Sequence, residues 1–187
     1  MKYEEGIKEE DAITRIEDAI KKGDYRRALL NLSFLKDSII EQLYYEKILD
    51  LELKVYSLAL ESTIRDVEEC VLAKMGYSAV SLLDNADMYL NKLKELGNRD
   101  VKIYSSKIDE LRSRAYMMCA EHELKTVYEV LKRGDYSAAR AVFSRIENYI
   151  NRIPRLTSSK IPPEIKEFKK KVRSEIERIK NDIKKKR

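Results

Sequence analysis

Apolar residues recur at every third and fourth position along most of this chain, which is the pattern of amphipathic helices. No segment shows the strict alternation that is typical of a strand. Gly23, Gly76, Gly97 and Gly134 each fall between two periodic segments, and all three prolines lie within 154–163. The pattern therefore predicts an all-α fold with seven helices, at about 8–22, 25–40, 42–74, 78–96, 100–133, 136–153 and 163–185.

The same apolar pattern occurs three times at fixed offsets. A Gly-Asp-Tyr corner with matching apolar neighbours occurs at 23–25 and again, 111 positions later, at 134–136. A middle copy around Gly76 precedes the third copy by 60 positions. A duplicated helical hairpin explains these offsets, so we predict three antiparallel hairpins, stacked as a short solenoid or bundle, over about 8–40, 42–96 and 100–153.

Each corner has a physical reason for its residues. A glycine after the first helix can take the left-handed conformation that closes the last turn, and the following aspartate can accept hydrogen bonds from the free N–H groups of the second helix. The middle copy has Lys74 and Met75 where the third copy has Gly134 and Asp135, so we expect that corner to close differently. The predicted turn residues are Gly23, Asp24, Tyr25, Gly76, Gly134, Asp135 and Tyr136.

The segment from Lys132 to Phe143, with Gly-Asp-Tyr-x-x-Ala at its corner, resembles the second half of a tetratricopeptide repeat (TPR). The segment from Gly23 to Leu32 resembles it too. The signature of that family's first helix is absent, because the corresponding positions hold Glu123, Thr126-Val127 and Val130. The resemblance implies a TPR-like helical surface for binding other proteins, without chemistry of its own.

A second likeness covers Gly134 to about Lys184. A Gly-Asp-Tyr-Ser hairpin, a linker and a lysine-rich last helix are similar to the end of translin-family proteins, which are helical oligomers that bind RNA and single-stranded DNA. The acidic nuclease motif of that family's active branch has no counterpart here, so the resemblance implies no catalytic residue.

Charge is distributed unevenly along the chain. The formal net charge is +5, yet residues 160–187 hold 12 Lys/Arg against 5 Asp/Glu, so all of the excess positive charge lies there. We therefore divide the chain into a helical repeat domain (1–153), a Pro/Ser linker (154–163) and a basic amphipathic helix (164–187). The high charged fraction of 38% is a hint of thermophilic origin, and two cysteines at apolar positions indicate a cytoplasmic protein with reduced thiols.

The pattern of the last helix allows three interpretations. Its apolar positions, from Ile165 to Ile183, can cap the hairpins and leave the lysines in water. Its cations can instead bind the phosphate backbone of a nucleic acid. A third reading, an amphipathic helix on an anionic membrane, is weakened by the absence of tryptophan. The candidate nucleic-acid contacts are Lys166, Lys169, Lys170, Lys171, Arg173, Lys180, Lys184, Lys185, Lys186 and Arg187.

Chemistry-bearing clusters are sparse. Cys119 and His122 lie one helical turn apart, but two ligands do not make a metal site, and Cys119 fits the apolar pattern as a small core residue. Acidic pairs such as Glu121/Glu123 are interpreted as solvated helix faces. No glycine-rich phosphate loop and no nucleophile motif occur, so we predict no catalytic residue, no metal and no cofactor.

Two function hypotheses remain. The leading one is a non-enzymatic, helical-repeat scaffold that binds another protein or associates with itself. The alternative is an accessory protein that binds RNA or single-stranded DNA through the basic last helix. An enzyme ranks a distant third.

Overall fold

The structure, a computed structural model, describes residues 2–36, 45–153 and 163–185. Within these ranges, the side chains of residues 2–10, 36 and 185 are not described. The described residues form seven helices and no strand, which confirms the all-α fold class. The helices are α1 (Lys2–Lys21), α2 (Tyr25–Lys36), α3 (Tyr45–Leu72), α4 (Gly76–Glu95), α5 (Val101–Lys132), α6 (Tyr136–Arg152) and α7 (Pro163–Lys185).

Most predicted helix ends lie within two residues of the observed ones. The start of α1 is an exception, because the helix begins at Lys2 and not near residue 8. A glycine inside a helix costs only about 1 kcal/mol, so Gly6 does not prevent the earlier start. The ends predicted at 40 and 42 lie outside the described residues, as does most of the predicted linker at 154–163.

The chain divides into two compact units, and three of its helices contribute to both. The first unit contains the described residues up to Arg65 together with Asp84–Ser105. Its core joins one face of α1 and of α2 to the first half of α3. The buried residues of this core are Ile13, Ile16, Ala19, Ala28, Leu32, Leu35, Leu51 and Val55.

The second unit contains Asp66–Leu83 and the described residues from Ser106 onward. Its main core joins α5 and α6 to α7, through Ala120, Val127, Ala139, Val142, Phe143, Ile146, Ile150, Val172, Ile176 and Ile179. Helix α7 is thus part of this core. Full burial of an aliphatic side chain contributes about 1.5–3 kcal/mol, so the three α7 residues attach their helix firmly. The apolar side of α7 is therefore buried against α5 and α6, which agrees with the interpretation in which this side of the last helix is covered.

The corners that end α1, α3 and α5 close in the same way. In each, one N–H donates back over the last helical turn, with Asp24 bonded to Ala19 at 2.9 Å, Met75 to Cys70 at 2.8 Å and Asp135 to Val130 at 3.3 Å. These bonds define the Schellman motif, which needs a left-handed residue just before the donor. That residue is Gly23 (φ 70°), Lys74 (φ 58°) or Gly134 (φ 74°).

The middle corner differs from its prediction in two respects. Its backbone closes like the other two, with Lys74 as the only non-glycine residue of positive φ in the described chain. Gly76, predicted as a turn residue, is instead the buried first residue of α4. Its role is close packing, since a Cβ there would lie 3.0 Å from the Met118 Cβ. The glycine and the left-handed corner are therefore separate features of this copy.

Candidate functional site

The apolar side of α7 is buried, and the cations of this helix lie on several of its other sides. Lys166, Lys170 and Arg173 are spaced by four and three residues, so they form one exposed row. Together with Pro163, Glu167 and Lys169, they line an open depression of about 650 Å³. No described residue forms an ion pair or a hydrogen bond with Lys166, Lys170 or Arg173. Four cations and one acid, Glu167, thus line this depression.

The second half of α7 is largely neutralised. Arg178 pairs with Glu175, and both contact the hydroxyl of Tyr128 on α5. Lys180 lies 3.2 Å from Glu147 of α6 and 3.4 Å from Glu177, and these carboxylates raise its pKa against a lowering effect of burial. Arg178 and Lys180 are therefore paired, unlike Lys166, Lys170 and Arg173 in the first half of the helix.

The remaining predicted contacts lie elsewhere. Lys171 lines a different cleft of about 140 Å³, in which Glu121 and Glu175 also lie. Lys184 is exposed at the end of the helix. The side chain of Lys185 is not described, and Lys186 and Arg187 lie outside the described residues. The structure thus gathers four of the predicted cations, Lys166, Lys169, Lys170 and Arg173, in one place.

A polar cluster that the sequence did not predict surrounds Glu123 of α5. Glu123 is only 5% exposed, so its interpretation as a solvated residue is wrong. Both of its carboxylate oxygens accept from Arg145, at 3.0 and 2.9 Å, and one of them also accepts from the Tyr77 hydroxyl at 2.8 Å. Burial favours the neutral acid, but these hydrogen bonds outweigh it and lower the pKa of Glu123. The available signal was the place of Glu123 at helical spacing between the apolar residues Ala120 and Val127.

The aromatic surroundings of this cluster are structural. The Tyr77 ring meets His122 edge-on at 5.5 Å and Tyr149 at 6.3 Å. Burial and the bond to Glu123 raise the pKa of Tyr77 well above its usual value, so the phenol stays protonated and donates. Both carboxylate oxygens of Glu123 have partners in Tyr77 and Arg145, so the cluster links α4, α5 and α6 within the second unit.

Cys119 and His122 do not form a shared site. Cys119 is buried, and burial together with the nearby Glu123 raises the pKa of its thiol to about 11. His122 is exposed and lies against the Tyr77 ring. Among the described residues, no group of three metal-ligating side chains comes together.

Two large apolar side chains are exposed on the outer face of α2. Leu30 is 58% exposed and Phe34 is 65% exposed, one turn apart and opposite the buried Leu32. Arg26 and Arg27 are exposed one turn earlier. Helix α2 therefore has apolar residues on both its inner and its outer side.

Comparison with known proteins gives no relative for this chain. No family model matches it, and no curated protein or solved structure matches it significantly. None of the described helices combines the length and apolar character that a membrane crossing requires.

Proposed function

We propose that this protein is a non-enzymatic helical scaffold in which the three hairpins stack in a TPR-like manner, and that it binds a protein partner or a second copy of itself through the outer face of α2. One observation carries the proposal: Leu30 and Phe34 stand in water on the side of α2 that faces away from its core. Large apolar side chains grouped on an exposed helix face are typical of interaction surfaces.

The internal repeats support this choice of surface. The positions that correspond to Leu30 and Phe34 hold Ser81 and Asn85 in the second hairpin, and Ala141 and Arg145 in the third. The outer apolar pair is therefore specific to the first hairpin and is not needed to build a hairpin. A terminal repeat that ends a stack normally has a polar outer face, so an apolar one favours a further helix docked upon it.

The same face indicates what kind of helix docks there. Arg26 and Arg27 precede the apolar pair on α2 and are exposed. We expect a partner helix that presents apolar residues flanked by carboxylates, because opposite charges at the edge of an apolar contact fix its orientation.

The test compares wild-type protein with the double variant L30E/F34E. Sedimentation equilibrium over a wide concentration range measures self-association, and affinity capture from an extract of the source organism measures binding of other proteins. The control L72E/M75E places the same charges on two exposed apolar residues at the α3–α4 corner. We expect dimers or a captured partner with wild type and control, and loss of both with L30E/F34E. A wild-type protein that is strictly monomeric and captures nothing would contradict the proposal, as would equal loss in both variants.

A further inference from the structure

We propose that the first half of α7 binds the phosphate backbone of a nucleic acid, independently of base sequence. The binding surface is the depression lined by Lys166, Lys169, Lys170 and Arg173. This goes beyond the scaffold function, since it concerns another unit of the molecule and another class of partner.

The charge of this surface is available for a ligand. Residues 166–173 contain five Lys/Arg and a single acid, Glu167, which lines the same depression. Lys166, Lys170 and Arg173 have no acidic partner among the described residues, whereas Arg178 and Lys180 farther along the helix do. An anion that approaches the depression therefore meets three cations, Lys166, Lys170 and Arg173, that form no ion pair with a described residue.

Helix stability does not account for this arrangement. The helix dipole favours cations in the last turn and acids in the first, while Lys166 lies just after the first turn of α7, which begins at Pro163. Three like charges on one side of a helix also repel one another. Neither effect explains why these three cations lie on one side of the first half of α7.

The spacing of the row fits a polymer of phosphates. Arg173 follows Lys166 by seven positions, which corresponds to about 10.5 Å along the helix axis. Phosphates of one strand of a duplex follow each other at about 3.4 Å along its axis, so the row spans about three of them. Lysine and arginine contacts to phosphate position a protein on nucleic acid but do not read bases, hence the expected lack of sequence preference.

An anionic membrane fits the surface less well. A helix that binds a membrane surface inserts its apolar side among the lipids. In α7 that side is occupied, because Val172, Ile176 and Ile179 are buried in the core with α5 and α6. Only the charges remain for contact, and these suit a highly charged polyanion.

The experiment measures binding of a fluorescein-labelled 20-base-pair DNA duplex, a 20-nucleotide RNA and vesicles that contain phosphatidylserine, at several salt concentrations. The test variant K166Q/K170Q/R173Q removes three charges from the row. The control K171Q/K180Q/K184Q removes three charges from the same helix, outside the depression. Circular dichroism checks that both variants fold.

We expect wild type and control to bind DNA or RNA with a steep dependence on salt. In the test variant, affinity at 50 mM salt should fall about tenfold or more, and the slope of log K against log salt should shrink by about 3, or about 1 for each lost phosphate contact. Lysine acetylation of the wild-type protein gives a readout that needs no variant: nucleic acid should protect Lys166 and Lys170 and leave Lys171 reactive.

Three results would overturn the proposal. One is the absence of nucleic-acid binding by the wild type at 50 mM salt, including the case in which only vesicles bind. Another is an equal loss of affinity in both variants, which would assign binding to net charge. The third is acetylation of Lys166 and Lys170 that nucleic acid does not change. None of these results bears on the face of α2.

Discussion

Gly76 of α4 lies so close to Met118 of α5 that a Cβ atom added to Gly76 would be 3.0 Å from the Met118 Cβ. The same atom would lie 3.1 Å from the carbonyl oxygen of Ala115 and 3.1 Å from the Sγ of Cys119. Two of these three neighbours are a backbone atom and a Cβ, which move only if α5 moves. The approach of the two helices in the second unit therefore depends on a residue without a side chain.

Replacement of Gly76 by alanine should destabilise the protein by about 1–3 kcal/mol, the usual cost of overpacking. This is the opposite of the effect of alanine in an open helix, where it is favoured over glycine by about 1 kcal/mol. Urea denaturation measures the difference. Adding Cys119→Ala should recover part of the loss, because it removes one of the three contacts. If Gly76→Ala were as stable as wild type, α5 would be able to shift away from α4 at little cost in free energy.

Lys74 offers a stabilising substitution at the same corner. Its left-handed conformation (φ 58°) costs a non-glycine residue about 1–2 kcal/mol, while glycine loses about 0.5–1 kcal/mol in chain entropy. Lys74→Gly should therefore raise the free energy of unfolding by about 0.5–1 kcal/mol. The control Ala73→Gly adds the same entropy cost at the preceding residue. It relieves no left-handed strain there, so it should lower the free energy of unfolding. Destabilisation by Lys74→Gly would show that the lysine makes a compensating interaction.

These two residues show what the sequence can and cannot predict. The helices follow from local periodicity and from glycine between segments, so their number and most ends were predictable. The role of Gly76 was not, because the need for a missing side chain arises on another helix, 42 residues away at Met118. The conformation of Lys74 follows from its register with Gly23 and Gly134, a signal present in the sequence but contrary to residue preference.

The candidate site shows the same division. The excess charge near the C terminus was evident from composition. Which cations are paired was not evident from composition, because Glu147, the ion-pair partner of Lys180, belongs to another helix. Glu123 was misjudged for the same reason: its partners Tyr77 and Arg145 come from α4 and α6.

The two cysteines should differ sharply in reactivity. Cys119 is buried with a pKa raised to about 11, whereas Cys70 is partly exposed. Because thiolates are the reactive species, a thiol reagent at pH 8 should modify Cys70 first and Cys119 only when urea unfolds the protein. The variant Cys70→Ser should abolish the fast phase and keep the slow one. Equal rates for both thiols in folded protein would mean that the second unit opens readily around α5.

The pair of Arg145 and Glu123 predicts a stability effect that depends on pH. The lowered pKa of Glu123 means that its ionised form stabilises the fold above the pKa of an unfolded glutamate, about 4.3, and that this contribution is lost as the pH falls through the lower folded value. Without Arg145, burial becomes the main effect on the pKa of Glu123. The folded state should then no longer favour the ionised form of this carboxyl group.

Arg145→Ala should thus destabilise the protein most at neutral pH. Loss of a partner from a buried ion pair costs about 3–5 kcal/mol. Half of the Arg145 side chain is exposed, so water can replace part of its hydrogen bonding to Glu123 in the variant. We therefore expect a loss of about 1–3 kcal/mol at pH 7. At pH 3 the difference from wild type should be smaller, because Glu123 begins to accept a proton in both proteins. Urea denaturation at the two pH values measures this. Arg114→Ala, which breaks an exposed pair with Glu110 on the same helix, should have little effect at either pH. An equal loss at both pH values would assign the effect of Arg145 to packing and not to charge.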